Sequence, residues 1–142
     1  MRPADPYIVN LVNESYNRCL RNSSFLLRFY KIFMERHELI PVLFKKTHLA
    51  RQAQALSHGL SMMLRYIANP DDEVARDVLS SIRISHGQKN LNVHPRLYDY
   101  WLDSLLRAIS ECDPEFDEEL ATAWRMALLP GIEFVRSGYA EN

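Results

Sequence analysis

The sequence predicts an all-α fold, and three observations predict it. Only 4 Gly occur in 142 residues. Sustained alternation of apolar and polar residues is missing, and no Asn-Gly or Asp-Gly pair signals a hairpin. Helix-start signals recur instead. "DPYI", "NPDDE", "HPRL" and "DPEFDEE" each offer Pro for a first helical position, where its missing N–H costs nothing.

Each element follows from such a signal. A helix over about 6–21 starts at Asp5-Pro6. A second, over about 24–37, takes Ser23 or Ser24 as its cap and carries Leu26, Phe29, Tyr30 and Phe33 on one face. A short turn at 38–45 follows, because Pro41 and a change of pattern break the helix there. The helix over about 48–68 lines up Leu49, Gln52, Leu56, Leu60 and Met63. Asn69-Pro70 opens a helix over about 71–86, with acids in its first turn to suit the dipole and Leu79, Ile82 and His86 on one face. Pro95 opens the helix over about 95–112, with Leu97, Trp101, Leu105 and Ala108 aligned. Asp113-Pro114 opens the last, over about 114–138, which Pro130-Gly131 should kink or interrupt.

The length suits a single domain spanning 1–142, and 47% hydrophobic residues suffice for a sizeable core. The net charge of −1 and a pI near 6.5 give no nucleic-acid footprint. Cys19 and Cys112 are isolated, without the spacing of a zinc site or of covalent haem attachment, and read as free thiols. No apolar run is long enough to span a bilayer, and "MRPADPYIVN" does not resemble a signal peptide. No membrane association and a cytoplasmic location are therefore expected.

Three polar groups stand on stripes that should face the interior: Tyr30, Gln52 and His86. An unpartnered buried polar group costs about 1–3 kcal/mol, so something should satisfy them. Di-iron chemistry would need Glu-x-x-His motifs, and none occurs. No G-x-S-x-G and no Gly-rich phosphate loop is present. One inward imidazole facing a phenol and an amide across an apolar space suits a flat apolar cofactor carrying a single metal, which is haem.

Four stretches carry a family likeness. "FLLRFYKIFMERH", "LIPVLF", "RQAQALSHGL" and "VLSSIRISHGQKNLNVHPRLYDYWLDSLLRAI" occur in that order. Together they resemble a bacterial single-domain globin, similar to the globin domain of flavohaemoglobins. The resemblance covers about residues 15–138. It implies a globin fold of six to seven helices around a non-covalent b-type haem (iron protoporphyrin IX). It implies His86 as iron ligand, Tyr30 and Gln52 on the other side of the ring, Phe44 packed on haem, and Leu56 as apolar lining. Gln54 competes with Gln52, which is preferred because Leu56 then lies one turn further along the same face. In the flavohaemoglobin group a tyrosine and a glutamate support the proximal histidine. Tyr98 matches the first, and Glu141 matches the second by spacing from Trp124, although Pro130-Gly131 intervenes.

The bland alternatives are specific. His86 alone would read as a helix C-terminal histidine favoured by the dipole. Tyr30 could send its hydroxyl to a backbone carbonyl. His94 precedes Pro95 and reads as a cap, His58 points off the Leu56 face, and Trp101, Trp124, Met62 and Met63 read as ordinary core.

The function this implies is reversible binding of O2, with NO and CO as further ligands. The alternatives are NO dioxygenation with a separate reductase, a gas-sensing module, and a haem-free helical interaction domain. The expected assembly is a monomer or homodimer.

Overall fold

Asp5 begins the first helix as its position suggests: its carboxylate accepts a hydrogen bond from the Tyr7 N–H at 2.9 Å, and Pro6 follows at the first helical position. This computed structural model describes residues 1–141. Among them run seven α-helices: α1 (Pro6–Leu20), α2 (Phe25–Met34), α3 (Leu39–Leu43), α4 (Leu49–Ala68), α5 (Glu73–Ser85), α6 (Leu97–Cys112) and α7 (Glu118–Arg136). A 3₁₀ turn over Tyr139–Glu141 follows. No strand occurs among the described residues.

Most of the helix packing joins helices that are not neighbours in the chain. α2 lies against α6, α4 against α5, and α7 against α1, α4 and α5. The stripes legible in the sequence face these contacts. Phe29, Tyr30 and Phe33 of α2 are buried, as are Leu56, Leu60 and Met63 of α4 and Leu97, Leu105 and Ala108 of α6. Each large side chain so buried contributes about 1.5–3 kcal/mol.

Three helix starts differ from expectation. α5 is capped by Asp72, which accepts from the Ala75 N–H at 3.0 Å, and not by Asn69. α7 is capped by Asp117, which accepts from the Leu120 N–H at 2.8 Å, and not by Asp113. α6 starts at Leu97, two residues after Pro95. In the first two cases a pair of candidate caps stands within one turn, and the upstream one is taken elsewhere. Asn69 closes a local turn on the Asp71 N–H. Asp113 turns into the interior, where its carboxylate accepts from Ser15 Oγ at 2.5 Å and from Arg18 Nε at 2.6 Å. Trp124 Nε1 donates to the same Ser15 oxygen at 2.9 Å, which ties α1, α6 and α7 together.

Two expected breaks are helical. Residues 39–43 form the short α3, because Pro41 falls in a first turn whose N–H groups have no intrahelical partner. α7 continues through Pro130 without interruption. The carbonyl that Pro130 leaves without a donor is that of Met126, an exposed residue open to water. Ala127, Leu128, Gly131, Ile132 and Val135 hold the helix by packing. At Gly131 an added Cβ would stand 3.0 Å from Met63 Cγ and Cε, so Met63 would have to give way by a few tenths of an ångström.

Candidate functional site

The walls of one cavity collect the polar residues that looked out of place in the sequence. The cavity measures about 410 Å³, within the range of sites that enclose a small organic ligand. Tyr30, Phe44, Gln52, Leu56, His86 and Tyr98 all line it. Gln54 and His58 do not; both are exposed.

Aromatic packing positions one side. Phe29 stacks on Phe33 with ring centroids 5.3 Å apart and meets Tyr30 edge-on at 4.9 Å. Phe44, at the end of α3, packs edge-on against both Tyr30 and Phe33, at 5.7 and 6.2 Å. Such pairs restrict each ring beyond what burial alone does. The Tyr30 hydroxyl donates to the backbone carbonyl of Gln52 at 3.1 Å. Burial pushes its pKa up to about 12, so the phenol stays protonated. Gln52 sits in the first turns of α4, with Leu56 one turn further on.

His86 enters from the C-cap of α5. The loop after it folds back over the helix end: the Leu91 N–H donates to the Ser85 carbonyl at 3.0 Å and the Val93 N–H to the His86 carbonyl at 3.1 Å. Asn92 adopts φ 56°, a left-handed conformation that Asn tolerates, and this lets the loop reverse. Leu91 and Val93 thereby reach the cavity wall.

The imidazole is oriented by its neighbour. Ser85 Oγ donates its one proton to the Ile82 carbonyl at 3.0 Å and lies 2.9 Å from His86 Nδ1. When the hydroxyl proton goes to Ile82, the oxygen accepts at Nδ1 and the ring hydrogen sits there. In that arrangement Nε2 keeps its lone pair, as a metal-ligating imidazole requires. Burial lowers the His86 pKa, against a smaller opposing effect of the Ile82 carbonyl, and favours the neutral ring.

Neither Tyr98 nor Glu141 hydrogen-bonds to His86 among the described residues. Tyr98 lines the cavity, and burial raises its phenol pKa. Glu141 is drawn to Arg83, whose Nη2 donates to its carboxylate at 2.7 Å. Arg83 also donates to the Phe134 carbonyl and to Ser137 Oγ, so it fastens the chain end to α5. The Gln88 N–H donates to the Tyr139 carbonyl at 2.9 Å, and this extends the fastening to the loop after His86.

Sequence reasoning missed Ser85, whose signal was only its place one residue before His86. It also placed Trp101 and Met63 in the ordinary core, whereas both line the cavity. Their stripes were read correctly, but a stripe does not tell packed protein from an enclosed space. Trp124 and Met62 stay away from it.

The donor set fits a haem. Among the described residues no group of three or more His, Cys, Asp or Glu could hold a metal ion, so His86 would be a lone protein ligand to a metal that brings its other ligands with it. No described helix is long and apolar enough to cross a membrane.

No protein-family model and no curated protein matches the chain. Among solved structures, the chain is similar to a protein of Pseudomonas aeruginosa PAO1 described as structurally highly homologous to a human haemoglobin. The two share 32% identity with a TM-score of 0.88, over 94% of this chain and 98% of that one.

Proposed function

The chain belongs to the globin family, and we propose that it is a haem protein that reversibly binds O2 and related diatomic gases, NO and CO. The observation that carries this reading is the meeting of three groups on one apolar cavity. These are a neutral, oriented imidazole from α5, a protonated phenol from α2, and an amide from α4.

A non-covalent b-type haem would supply an iron with one open coordination position for the gas. The residues of the chain do the rest. His86 offers Nε2 as the protein ligand, and Ser85 holds the ring in the tautomer that leaves this nitrogen free. Phe44, Leu56 and Trp101 supply apolar contact and keep water away. The Gln52 amide, and the Tyr30 hydroxyl once it exchanges its bond to the Gln52 carbonyl, are the hydrogen-bond donors for a gas molecule in the cavity. A hydrogen bond to a group carrying partial charge is worth about 1.5–3 kcal/mol, so these donors favour O2, the more polarised ligand, over CO.

Absorption spectra of the purified ferric, ferrous and CO-bound protein test the reading. A Soret band that shifts on reduction and again with CO is expected. A protein that takes up no haem when offered excess iron protoporphyrin overturns it.

A further inference from the structure

We propose that the outer surface of residues 39–51 is a docking site for an acidic electron-donor protein. The proposal rests on the globin reading, in which the iron must be ferrous to hold O2 reversibly. One electron leaves the donor and reduces ferric iron, and no bond in the chain is made or broken.

The charge pattern is the first observation. No Asp or Glu occurs between Glu38 and Asp71. Within that stretch Lys45, Lys46 and Arg51 are exposed and form no ion pair among the described residues. Elsewhere, Arg18, Arg28, Arg36, Arg65, Arg83 and Arg136 each face a carboxylate within 4 Å. Arg2, Arg21, Lys31, Lys89, Arg96, Arg107 and Arg125 also stand outside these ion pairs, so what sets residues 39–70 apart is a long run of chain with exposed cations and no acid of its own, in a protein whose net charge is −1.

The second observation is what lies beneath. Leu43, Phe44, Thr47 and Gln52 of the same stretch form cavity wall on their inner side. A partner seated on Lys45 and Lys46 is separated from the cavity by little more than one layer of side chains. Leu39, Val42 and Leu49 of the same stretch are exposed, at 50%, 64% and 43%, and give the contact an apolar component. A nucleic acid fits less well, because the chain has no basic excess. An anionic membrane fits less well too, because lipid recognition takes clusters of about 4–8 Lys or Arg.

The test compares the haem-loaded protein with a Lys45→Gln/Lys46→Gln/Arg51→Gln variant, using a photoreduced acidic flavodoxin as donor and CO to trap the ferrous product. At low ionic strength the variant should be reduced about tenfold more slowly, and the wild-type rate alone should fall steeply with salt. Reduction by photoreduced lumiflavin, a small uncharged donor, should be equal in both, and so should haem transfer to an apoglobin acceptor. Independently of turnover, oxidised flavodoxin should shift the backbone amides of residues 39–51 in the CO-bound protein, reversibly with salt. Equal flavodoxin rates, or shifts centred elsewhere, overturn the proposal. Faster haem loss from the variant with an unchanged flavodoxin rate assigns these cations to the haem carboxylates instead. Tighter binding to phosphatidylserine vesicles than to flavodoxin assigns the face to a membrane. A missing Soret band in both proteins defeats the globin reading itself.

Discussion

The one proton of the Tyr30 hydroxyl is committed to the backbone carbonyl of Gln52, 3.1 Å away. That carbonyl belongs to a helix and has its own partner four residues on, so the phenol is an added donor to it. For Tyr30 to serve a gas in the cavity, this bond must be exchanged for the new one. The net gain is a difference between a bond to a charged group and a neutral one, about 0.5–2 kcal/mol.

Tyr30→Phe should therefore speed O2 release by about 2- to 30-fold, at about 1.4 kcal/mol per decade. The same change should cost only about 1 kcal/mol of stability, since the Gln52 carbonyl keeps its helical partner. Stopped-flow displacement of O2 by CO and urea unfolding read the two quantities. An O2 release rate equal to wild type would remove Tyr30 from the donor role.

His86→Gly should abolish stable haem retention while leaving the helical circular dichroism in place, and added imidazole should restore a Soret band. The ring contributes little to the core, because it faces the cavity and not packed protein. Full haem retention in the variant, with an unchanged spectrum, would show that the ligand is another group.

Ser85→Ala removes the acceptor at Nδ1 but leaves the Ile82 carbonyl, which the ring hydrogen can approach. Loss of a partner behind a metal-bound histidine typically costs about 10- to 100-fold in metal affinity, and the remaining carbonyl puts this case at the low end. Haem transfer to an apoglobin acceptor should quicken by about tenfold. Ser85→Thr, which keeps the hydroxyl, should recover most of the loss. A transfer rate unchanged in the alanine variant would reduce Ser85 to a bystander.

Asp113→Asn tests the polar network far from the cavity. Asp113 is 2% exposed and paired with Arg18 at 2.6 Å. Breaking a buried pair costs about 3–5 kcal/mol, and Glu115, 3.4 Å from Arg18, should hold the loss near the lower figure. Burial alone would raise the Asp113 pKa, yet the hydrogen bonds from Arg18 and Ser15 outweigh it and hold the carboxyl below its usual range. A depressed folded pKa gives stability that is present above the unfolded pKa, near 4, and lost as pH falls through the folded value. Urea midpoints taken from pH 7 down to pH 2.5 should fall more steeply for wild type than for the variant. Parallel curves would mean that Asp113 is not the acid-sensitive group.

Much of the architecture is legible in the chain because it is local. Helix faces follow from spacing, and Tyr30, Gln52 and His86 stood out as polar residues on apolar stripes. The choice of Gln52 over Gln54 also followed from spacing, since Leu56 shares the face of the former. The errors arose where two local solutions compete. Asn69 and Asp72, or Asp113 and Asp117, are equally good caps in isolation, and only the tertiary demand of Arg18 and Ser15 on Asp113 decides the second pair.

Taken alone, the sequence determined that this chain is helical, where most of its helices run, and that a lone imidazole, a phenol and an amide turn inward. Those properties depend on residues within a few turns of one another. Only the tertiary structure decided that Ser85 orients the imidazole, that Tyr30 spends its proton on the Gln52 carbonyl, that α7 runs through Pro130, and that Glu141 is held by Arg83 away from His86. Apart from the path of α7, which packing decides, each of these is a choice among partners that satisfy the same atom comparably well. Such choices are settled by which groups the packed helices bring within about 3 Å.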